Sequence, residues 1–527
     1  MSSPTVPPPP PPPPFADLPA LVAGHARQRP GATALVVGAQ RLSYAQLDAL
    51  ADRVAASLQR DGLQARESVA VCAASSVEYV AVFLGVLRAG LAIVPLAPGS
   101  TAAQWVGMAV DAGARRIFID GEVQAALAAG GVELPPTLPA TRLDATDAAD
   151  GRAPLEPWLL PPGARPAPVR IEPDWPFNLI YSSGTTGTPK GIVQPHAMRW
   201  AHIQRAALSG YDAETVTLVA TPLYSNTTLV AVVPTLAWGG CLVPMPKFEA
   251  GAYLQIAEAE RATHTMLVPV QYRRLMAWPD FDRHDLRSFR MKFCTSAPFA
   301  AALKAEVLTR WPGGLVEYYG MTEGGGTCIL HAHLHPDKLH TVGQPAEGHD
   351  IRLIDEAGRE LTMPGETGEV VGRSPGMMTG YHGQPARTAE AEWFDRQGRR
   401  YIRTGDIGRF DADGFLTLLD RRKDMVISGG FNIYPSDLEA VLRRHPAVAD
   451  AAVVGIPSPE WGETPVAYVV LAAGQSESPE ALRAWFNAQV GKTQRLAGLR
   501  RVDELPRSAI GKVLKRELRE AWAAGGA

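Results

Sequence analysis

The chain has 527 residues, 46% of them hydrophobic, and a formal net charge of −3. This length exceeds that of one ordinary domain, so at least two domains are expected. Lys and Arg are dispersed along a chain of nearly balanced charge, which argues against the basic surfaces that bind nucleic acids or anionic membranes. We therefore expect no nucleic-acid partner.

The cysteines indicate a reducing compartment. They stand far apart, without a Cys-x-x-Cys pair, at Cys72, Cys241, Cys294 and Cys328. This usage favours buried free thiols in a cytoplasmic protein over a disulfide framework or a zinc site. The first residues also lack the basic and then apolar pattern of a signal peptide.

The chain starts with a low-complexity segment in which residues 7–14 are all proline. Such a run favours a stiff, solvated polyproline II conformation that has no packed core. We predict that residues 1–14 form a disordered extension with no part in the chemistry. Binding to a proline-reading partner is the alternative.

The folded part is expected to start near Phe15, and its first elements follow from apolar periodicity. Ser43 and Gln46 have the spacing of a capping box, and the apolar residues that follow would share one helix face. The next apolar runs predict a strand at 68–72, a helix at 80–87 and a strand at 91–96. Because this alternation recurs as far as Phe293, it predicts an α/β fold of layered, largely parallel sheets.

Residues 221–246 carry no charge and could be mistaken for a membrane span. Pro234 and the pair Gly239 and Gly240 interrupt this stretch. Since Pro and Gly end helices, we predict a helix and a strand of the core here instead, and no membrane span.

The sequence pattern changes at several places further along the chain. Residues 145–167 are rich in Pro, Ala, Asp and Gly and predict a loop, whereas turn signals at 365–369 and 411–414 predict a small β-rich subdomain. A compact α+β pattern then follows, with a helix at 436–445, strands at 448–454 and 466–471, and a helix at 479–490. We therefore predict an N-terminal domain over residues 15–422 and a small C-terminal domain over residues 423–527.

The most informative stretch reads Tyr-Ser-Ser-Gly-Thr-Thr-Gly-Thr-Pro-Lys-Gly from Tyr181 to Gly191. Glycines that free backbone N–H groups, several hydroxyls and one ammonium are suited to cradle a polyphosphate. The spacing differs from the common nucleotide loop, in which Lys follows the second Gly directly and precedes Ser or Thr. An ordinary polar loop is the alternative.

Further motifs follow in a fixed order. They are Tyr319-Gly-Met-Thr-Glu323, Tyr401-Ile-Arg-Thr-Gly-Asp406, Asp420-Arg-Arg-Lys-Asp424, Ser428-Gly-Gly-Phe-Asn-Ile-Tyr-Pro435 and Pro506-Arg-Ser-Ala-Ile-Gly-Lys512. Together with the hydroxyl-rich loop, this set resembles the adenylate-forming superfamily of acyl-CoA and aryl-CoA synthetases, luciferases and peptide-synthetase adenylation domains. The resemblance extends from about Phe15 to about Trp522 and is closest to the acyl/aryl-CoA ligases.

The resemblance implies a two-step reaction that uses ATP, Mg²⁺ and coenzyme A. A carboxylic acid and ATP first give acyl-AMP and pyrophosphate, and the acyl group then passes to the CoA thiol. A carboxylate is a poor electrophile because its charge is shared by two oxygens, so adenylation is needed to create a leaving group. The enzyme must hold two anions together and stabilise the charge that develops on phosphorus.

The same resemblance assigns the nucleotide site. It implies Mg²⁺ binding by Glu323, adenine contact by Tyr319, α-phosphate binding by Thr322 and ribose binding by Asp406, with Arg421 beside it. The carboxylate of Asp406 suits two hydroxyl donors, and a hard cation prefers carboxylate oxygen. The remaining expected ATP and AMP contacts are Ser182, Ser183, Gly184, Thr185, Thr186, Gly187, Lys190, Gly320 and Met321, of which Thr186 is also assigned to catalysis.

Lys512 is the expected catalytic lysine, which bridges the substrate carboxylate and the α-phosphate. Taken singly, Lys512 would be read as part of a surface turn, Glu323 as a solvated loop carboxylate and Asp406 as a turn former. Only the family pattern assigns them to catalysis. The resemblance also allows a lysine acetyltransferase and deacetylase to act on Lys512, and a homodimer; acetylation would remove the charge that adenylation needs.

In the C-terminal part, Lys423 is expected at the hinge about which this small, mobile domain rotates between the two half-reactions. Glycine lets a thin pantetheine chain pass close to the backbone. The expected CoA contacts are Ser428, Gly429, Gly430, Phe431 and Trp461.

The predicted acyl pocket is lined by Tyr224, Ser225, Asn226, Ser296, Ala297, Pro298, Gly320 and Gly324. Many relatives carry histidine where this chain has Ser225, and the run of glycines at 324–326 adds small residues, so a fairly open pocket is expected. No acidic residue stands where amino-acid-activating relatives hold the α-amino group. Aromatic or medium-chain acids are therefore the favoured substrates.

Two sets of alternatives stay open. His331, His333 and His335 alternate and could bind a metal, although exposed histidines on a loop or edge strand are favoured. For function, the alternatives are transfer of the acyl group to a carrier protein, luciferase-like oxidation, and a non-catalytic nucleotide-binding regulator. The intact set of Lys190, Glu323, Asp406 and Lys512 argues against the regulator.

Overall fold

The computed structural model describes residues 15–144, 153–182, 190–421, 424–428, 431–459, 461–491, 494–508 and 511–525. The proline-rich residues 1–14 lie outside this set, so the expectation for the tail stays a prediction. The helices of the described residues are α1 (Leu18–Gln28), α2 (Tyr44–Arg60), α3 (Val77–Arg88), α4 (Ala102–Asp111), α5 (Gly121–Ala129), α6 (Leu155–Trp158), α7 (His196–Ala206), α8 (Asn226–Ala237), α9 (Ala250–Ala259), α10 (Pro269–Met276), α11 (Ala301–Arg310), α12 (Pro385–Glu390), α13 (Pro435–Leu442), α14 (Pro479–Asn487) and α15 (Lys515–Ala524).

The strands of the N-terminal half are β1 (Thr33–Val37), β2 (Gln40–Ser43), β3 (Ser68–Cys72), β4 (Ala92–Pro95), β5 (Ala114–Ile119), β6 (Ala140–Arg142), β7 (Ala153–Pro154), β8 (Pro176–Ser182), β9 (Lys190–Pro195), β10 (Val216–Val219), β11 (Cys241–Pro244), β12 (His264–Leu267), β13 (Met291–Cys294), β14 (Gly314–Met321) and β15 (Gly324–His331). Those that follow are β16 (Gln344–Pro345), β17 (Asp350–Ile354), β18 (Glu360–Leu361), β19 (Gly368–Arg373), β20 (Gly380–Tyr381), β21 (Glu392–Phe394), β22 (Arg400–Phe410), β23 (Leu416–Arg421), β24 (Val426–Ser428), β25 (Phe431–Ile433), β26 (Val448–Ser458), β27 (Gly462–Leu471) and β28 (Gly498–Arg501).

Two large sheets form the body of the molecule. One has the strand order β16-β15-β14-β13-β12-β10-β11-β1-β2, and the other has the order β20-β9-β8-β4-β3-β5-β6-β7. The central pairs of both sheets are parallel, and antiparallel pairs occur towards their ends. The predicted α/β class with largely parallel sheets is therefore confirmed.

The main core lies between these sheets and the helices that cover them. It joins Phe83 and Phe177, whose rings meet edge to face at 5.8 Å, to Phe293 and Val316 of the other sheet. Burial of such aromatic and β-branched residues is the main stabilising contribution in a fold of this size.

A third sheet, with the order β18-β17-β19-β22-β21 and β23 beside β22, forms the predicted β-rich subdomain. All of its pairs are antiparallel. A fourth sheet in the C-terminal part has the order β25-β24-β27-β26, with β28 beside β27, and encloses its own core around Leu442 and Phe486. This confirms the α+β pattern, while the boundary at residues 422 and 423 stays a prediction.

Several local predictions are confirmed. Ser43 caps α2, and both hydrogen bonds of the capping box with Gln46 are formed. Residues 221–246 contain helix α8 and strand β11, and no helix among the described residues is long and apolar enough to cross a bilayer. All four cysteines lie in described parts of the chain and have free thiols.

Several boundaries differ from prediction. Helices α13 and α14 each end three residues before the predicted ends at 445 and 490. Within the predicted loop at 145–167, the short helix α6 forms, and its residues Leu155 and Trp158 are buried. The Trp158 indole N–H donates to Asp61 at 2.8 Å, which anchors this helix. Helix α3 begins three residues early because Ser76 caps it by accepting from Tyr79 N at 3.1 Å. Strands β26 and β27 extend towards each other as one long hairpin, since residues 455–458 pair with 462–465.

Candidate active site

The candidate site lies at one edge of the first sheet. Strands β10, β12, β13 and β14 are parallel neighbours, so their carboxyl ends meet there. The segments that leave these ends carry most of the predicted acyl-pocket residues and the Thr322–Glu323 pair. Crevices at the carboxyl ends of parallel strands are the usual ligand sites of open α/β sheets.

The hairpin β8–β9 frames the hydroxyl-rich loop. Tyr181 pairs with Gly191 and Ser182 with Lys190, so the two ends of the loop are held side by side. The predicted phosphate contacts Ser183, Gly184, Thr185, Thr186 and Gly187 lie outside the described residues, and Ser182 is described by its backbone alone. Their assignment therefore stays a prediction.

Tyr381 links Lys190 with Glu323. Its ring centroid lies 4.9 Å from Lys190 Nζ, and its hydroxyl donates to Glu323 Oε1 at 2.8 Å. Burial, and next to it the Glu323 carboxylate, raise the pKa of Tyr381, so the hydroxyl stays protonated and acts as a donor. This holds the Glu323 carboxylate near Lys190, and carboxylate oxygen is the donor type that suits Mg²⁺. Sequence reasoning missed Tyr381, because no motif surrounds it.

A buried amide joins the two sheets beneath the site. Gln194 Nε2 donates to the carbonyl of Thr322 at 2.6 Å and to Asn226 Oδ1 at 3.3 Å. Gln194 Oε1 accepts from Asn178 Nδ2 at 2.9 Å and from Arg199. Gln194 and Asn178 are fully buried, so these hydrogen bonds fix Thr322 and the start of α8 relative to the phosphate-loop hairpin.

The predicted nucleoside residues are brought together. Tyr319 donates its hydroxyl hydrogen bond to Asp406 Oδ2 at 2.9 Å, and Arg421 Nε lies 3.2 Å from Asp406 Oδ1. Asp406 and Arg421 are also Cα partners in the β22–β23 pair. An aromatic ring beside a carboxylate and a guanidinium is suited to an adenine base with its ribose hydroxyls.

The predicted acyl-pocket residues meet at the ends of β10 and β13. Ser225 caps α8 by accepting from Thr227 N at 3.3 Å, and the Thr227 hydroxyl lies 2.5 Å from that of Ser296. Ser296 has φ of 80°, a strained value for a residue with a side chain. Tyr224, Asn226, Ala297 and Pro298 lie in the same two segments, and Gly320 and Met321 end the neighbouring strand β14.

The reason for Gly324 differs from the one predicted. Its φ is 79°, and a Cβ there would lie 2.1 Å from the carbonyl oxygen of Gly376. Cβ atoms on Gly325 and Gly326 would likewise meet Gly372 or Ile351. These glycines are therefore required by close backbone approach of the β-rich subdomain, and they do not by themselves open the acyl pocket.

The loop that carries Lys512 is seated at the same sheet edge. A Cβ on Gly511 would lie 2.9 Å from Val270, at the start of α10 after β12. Within the loop, Arg507 Nη1 donates to the carbonyl of Gly511 at 2.7 Å, and Lys512 N donates to Ser508 Oγ at 3.2 Å. The chain fold therefore brings Lys512 to the N-terminal part that holds the other predicted site residues.

Asp450 connects this loop to the N-terminal part. Its Oδ2 accepts from Arg507 Nη2 at 2.6 Å and lies 3.5 Å from Nη1 of Arg273, a residue of α10. Arg443, from the C-terminal part, reaches the other oxygen at 3.5 Å. One carboxylate thus holds the Lys512 loop and an arginine of the N-terminal part together.

Of the predicted CoA contacts, Ser428 and Trp461 lie close to each other. Ser428, at the end of β24, is buried and pairs with Gly462, the residue after Trp461. Trp461 is 36% exposed. Gly429, Gly430 and the predicted hinge Lys423 lie outside the described residues, and Phe431 is described only by its place in β25.

The histidine series does not share a strand face. β15 ends at His331, and His333 and His335 lie in the loop that follows. The rings of His331 and His333 are 6.0 Å apart, and His335 packs edge to face against Phe415. No group of three His, Cys, Asp or Glu residues in the described ranges is arranged to bind a metal.

Comparisons with known proteins identify the family. The model of the AMP-binding enzyme family matches residues 22–382, and that of the AMP-binding enzyme C-terminal domain matches residues 437–512. The chain belongs to the AMP-binding enzyme family. Its adenylate-forming fold, predicted from the motifs, is thereby confirmed.

Some relatives match nearly the whole chain. A feruloyl-CoA synthase from Amycolatopsis is 35% identical over 506 residues, which is 94% of this chain and 97% of that protein. The fatty acid–[acyl-carrier-protein] ligase ScoC from Streptomyces coeruleorubidus is 31% identical over 507 residues, 94% of this chain and 95% of that one. The structure of ATP-bound MatB from Rhodopseudomonas palustris has a TM-score of 0.84 at 29% identity and covers 96% of this chain and 99% of that one.

The role of Tyr381 can be tested by Tyr381→Phe, which keeps the ring near Lys190 but removes the hydroxyl. Losing one hydrogen bond to a carboxylate corresponds to about 1.5 kcal/mol, so we expect the Mg²⁺ concentration for half-maximal pyrophosphate release to rise about tenfold. Tyr401→Phe is the matched control, because the Tyr401 hydroxyl donates to Asp350 at 2.5 Å in the β-rich subdomain. Equal effects of both substitutions would contradict a role for Tyr381 at the metal.

The contact between Arg273 and Asp450 predicts a kinetic effect on one half-reaction. Arg273→Gln should slow acyl-AMP formation by about two- to fivefold, because an exposed ion pair contributes at most about 1 kcal/mol. Thioester formation from supplied acyl-AMP should not change, and the difference from wild type should shrink in high salt. Arg443→Gln, which removes a contact to Asp450 within the C-terminal part, is the control. Slowing of both half-reactions by Arg273→Gln would refute the assignment.

Proposed function

We propose that this protein is an ATP-dependent carboxylic acid–CoA ligase that acts on an aromatic acid. The single observation that carries the proposal is the convergence at one sheet edge of Lys190, Glu323 and the Tyr319–Asp406 pair, with the Lys512 loop seated against the same edge. Family membership and a feruloyl-CoA synthase among the relatives support it.

In the proposed first step, a carboxylate oxygen of the acid attacks the α-phosphorus of ATP, and pyrophosphate leaves. Tyr319, Asp406 and Arg421 would hold the nucleoside, while Lys190 and the hydroxyl-rich loop would bind the β- and γ-phosphates. Lys512 would place its ammonium between the carboxylate and the α-phosphate, two anions that otherwise repel each other. Positioning and charge stabilisation are what such a transfer requires.

Mg²⁺ would be held by Glu323, whose carboxylate Tyr381 orients, and when bound it would neutralise phosphate charge. The contribution of the chain itself is to hold both groups by one tyrosine, the carboxylate through the hydroxyl of Tyr381 and Lys190 through its ring. Gln194 fixes the backbone of Thr322, so that the residue expected to bind the α-phosphate cannot drift from the hairpin that frames the phosphate loop.

In the proposed second step, the CoA sulfur attacks the acyl carbon of acyl-AMP, the thioester bond forms, and AMP leaves. Ser428 and Trp461 would line the path of CoA after rotation about a hinge at Lys423, with residues 15–422 and 423–527 as the two domains. Cytoplasmic location, a homodimer and acetylation of Lys512 stay predictions from the sequence.

A carrier protein is the second candidate acceptor. ScoC, a ligase for an acyl carrier protein, is nearly as similar over its whole length as the feruloyl-CoA synthase. The two acceptors share the phosphopantetheine thiol, so the same site chemistry serves both.

The proposal is tested by pyrophosphate release with Mg-ATP across benzoates, cinnamates, arylacetates and medium-chain fatty acids, with and without CoA. We expect one aromatic class to turn over in a CoA-dependent way and to yield its thioester. Pyrophosphate release that CoA does not accelerate would favour the carrier protein. Turnover of no acid would overturn the ligase assignment.

Lys512→Ala separates the two half-reactions. Because the ammonium acts on the carboxylate and the α-phosphate, we expect acyl-AMP formation to fall at least about a hundredfold, while thioester formation from supplied acyl-AMP is largely kept. Rapid-quench assays of each half-reaction measure this. Equal losses in both would contradict the assigned role of Lys512.

A further inference from the structure

Helix α7 presents three basic side chains to the interior. Arg199, His202 and Arg205 recur every three residues and therefore share one side of the helix. Arg199 is 1% exposed, and His202 and Arg205 are half-buried. Burial lowers the pKa of Arg199 to about 9 and lowers the pKa values of His202 and Arg205 as well.

The two arginines differ in their partners. The Nη2 group of Arg199 donates to the amide oxygens of Asn178, at 3.0 Å, and of Gln194, so this cation is held by neutral acceptors, although its Nη1 has no hydrogen-bond partner among the described residues. Arg205 contacts the ring of Tyr318, 5.7 Å from its centroid, and lies 3.5 Å from Nε2 of His349. Within the described ranges, no Asp or Glu forms an ion pair with Arg205.

In this contact the tautomer of His349 makes its Nε2 a donor, as the Arg205 guanidinium already is. The backbone N–H of Thr327 donates to His349 Nδ1 at 3.0 Å. Burial lowers the pKa of His349 to about 4, so the ring is neutral at pH 7 and its one proton is on Nε2. Nε2–H and the Arg205 guanidinium are therefore both donors, and they cannot hydrogen-bond to each other.

Two donor nitrogens that lie 3.5 Å apart and are only partly exposed to water would both be satisfied by one shared acceptor. The Nδ1 atom of nearby His202 is also buried, and no hydrogen-bond partner for it is present among the described residues. Leaving a buried cation without an anion is costly, so a ligand anion would relieve a standing penalty at this place.

Arg205 and His349 lie close to residues of the predicted acyl pocket. A Cβ on Gly320 would lie 3.5 Å from Thr327 Oγ1, and Thr327 is the residue whose N–H holds His349. On the other side, Tyr318 precedes Gly320 by two residues, and its carbonyl accepts from the Thr295 hydroxyl at 2.8 Å, next to Ser296. A continuous series of contacts thus leads from the reacting end of the pocket to Arg205.

Aromatic rings pack beside this series of contacts. The Tyr318 ring, which Arg205 contacts, stacks on Phe293 with centroids 5.6 Å apart, and Phe293 stacks on Tyr211 at 6.0 Å. A planar aromatic group next to Tyr318 could extend this stack, which favours a planar spacer between two polar ends.

We propose that the acid activated by this protein is an aryl dicarboxylate, whose second carboxylate binds Arg205 and the Nε2–H of His349 at the far end of the acyl pocket. The inference rests on the proposed ligase function and makes its substrate class specific. Arg205 is here a specificity-determining residue that contacts the substrate but takes no part in the adenylation step.

Matched pairs of acids test the proposal: benzoate with benzene-1,4-dicarboxylate, cinnamate with 4-carboxycinnamate, and phenylacetate with 4-carboxyphenylacetate. The 4-hydroxy form of each acid is included as a neutral acceptor. A charge-assisted pair of hydrogen bonds corresponds to about a tenfold to hundredfold change in kcat/KM for pyrophosphate release. We expect at least one dicarboxylate to exceed both of its partners by this factor.

Arg205→Gln should remove that preference by lowering kcat/KM for the dicarboxylate and sparing the neutral acid, and Arg205→Lys should restore part of it. Arg290→Gln is the control, because Arg290 pairs with Asp212 at the surface, 2.8 Å away, and its loss changes the net charge equally. Thermal unfolding midpoints show whether each variant is folded. The comparison of the acids on the wild-type enzyme does not depend on these variants.

The outcomes separate the two claims. If the neutral or 4-hydroxy acids turn over best, or if Arg205→Gln affects both members of a pair equally, the dicarboxylate inference is wrong and the ligase function stands. If no acid releases pyrophosphate, the ligase function fails, and the dicarboxylate inference fails with it.

Discussion

The site depends on one buried amide. Gln194 lies on β9, the strand that leaves the phosphate loop, yet its side chain donates to the Thr322 carbonyl at the end of β14 in the other sheet. Its oxygen accepts from Asn178 and Arg199, which fixes the amide in one orientation. Together with the hydrogen bond from Tyr381 to Glu323, this link gives the two sheets a directional connection, which non-directional apolar contacts alone would not supply.

The same arrangement explains why polar groups collect at this edge. Parallel strands bring their carboxyl ends together, so Ser296, Thr322 and the start of α8 lie near one another. Helix α7 begins directly after β9 and carries both Arg199, which supports the amide, and Arg205, which contacts Tyr318. One helix thus carries a residue that supports the site and the residue that we propose selects the acid.

Much of this could be predicted from the sequence. Short motifs with fixed spacing assigned Tyr319, Glu323, Asp406 and Lys512 to the site, and the structure brings Tyr319 and Asp406 into contact. Alternating apolar runs predicted the layered sheets. Tyr381, Gln194 and His349 could not be found in this way, because each acts through a partner far away in the chain and no local pattern marks it. The need for glycine at position 324 could not be predicted either, since only the folded chain shows that the Gly376 carbonyl lies against it.

Adenylation itself is the central claim, and a single-turnover experiment tests it most directly. Excess enzyme is mixed with Mg-ATP labelled at the α-phosphate and with the best acid, and CoA is added later. We expect label to appear in acyl-AMP before CoA is present, and to pass to free AMP as the thioester forms. Formation of ADP and phosphate, or of a thioester without an adenylate, would contradict the claim.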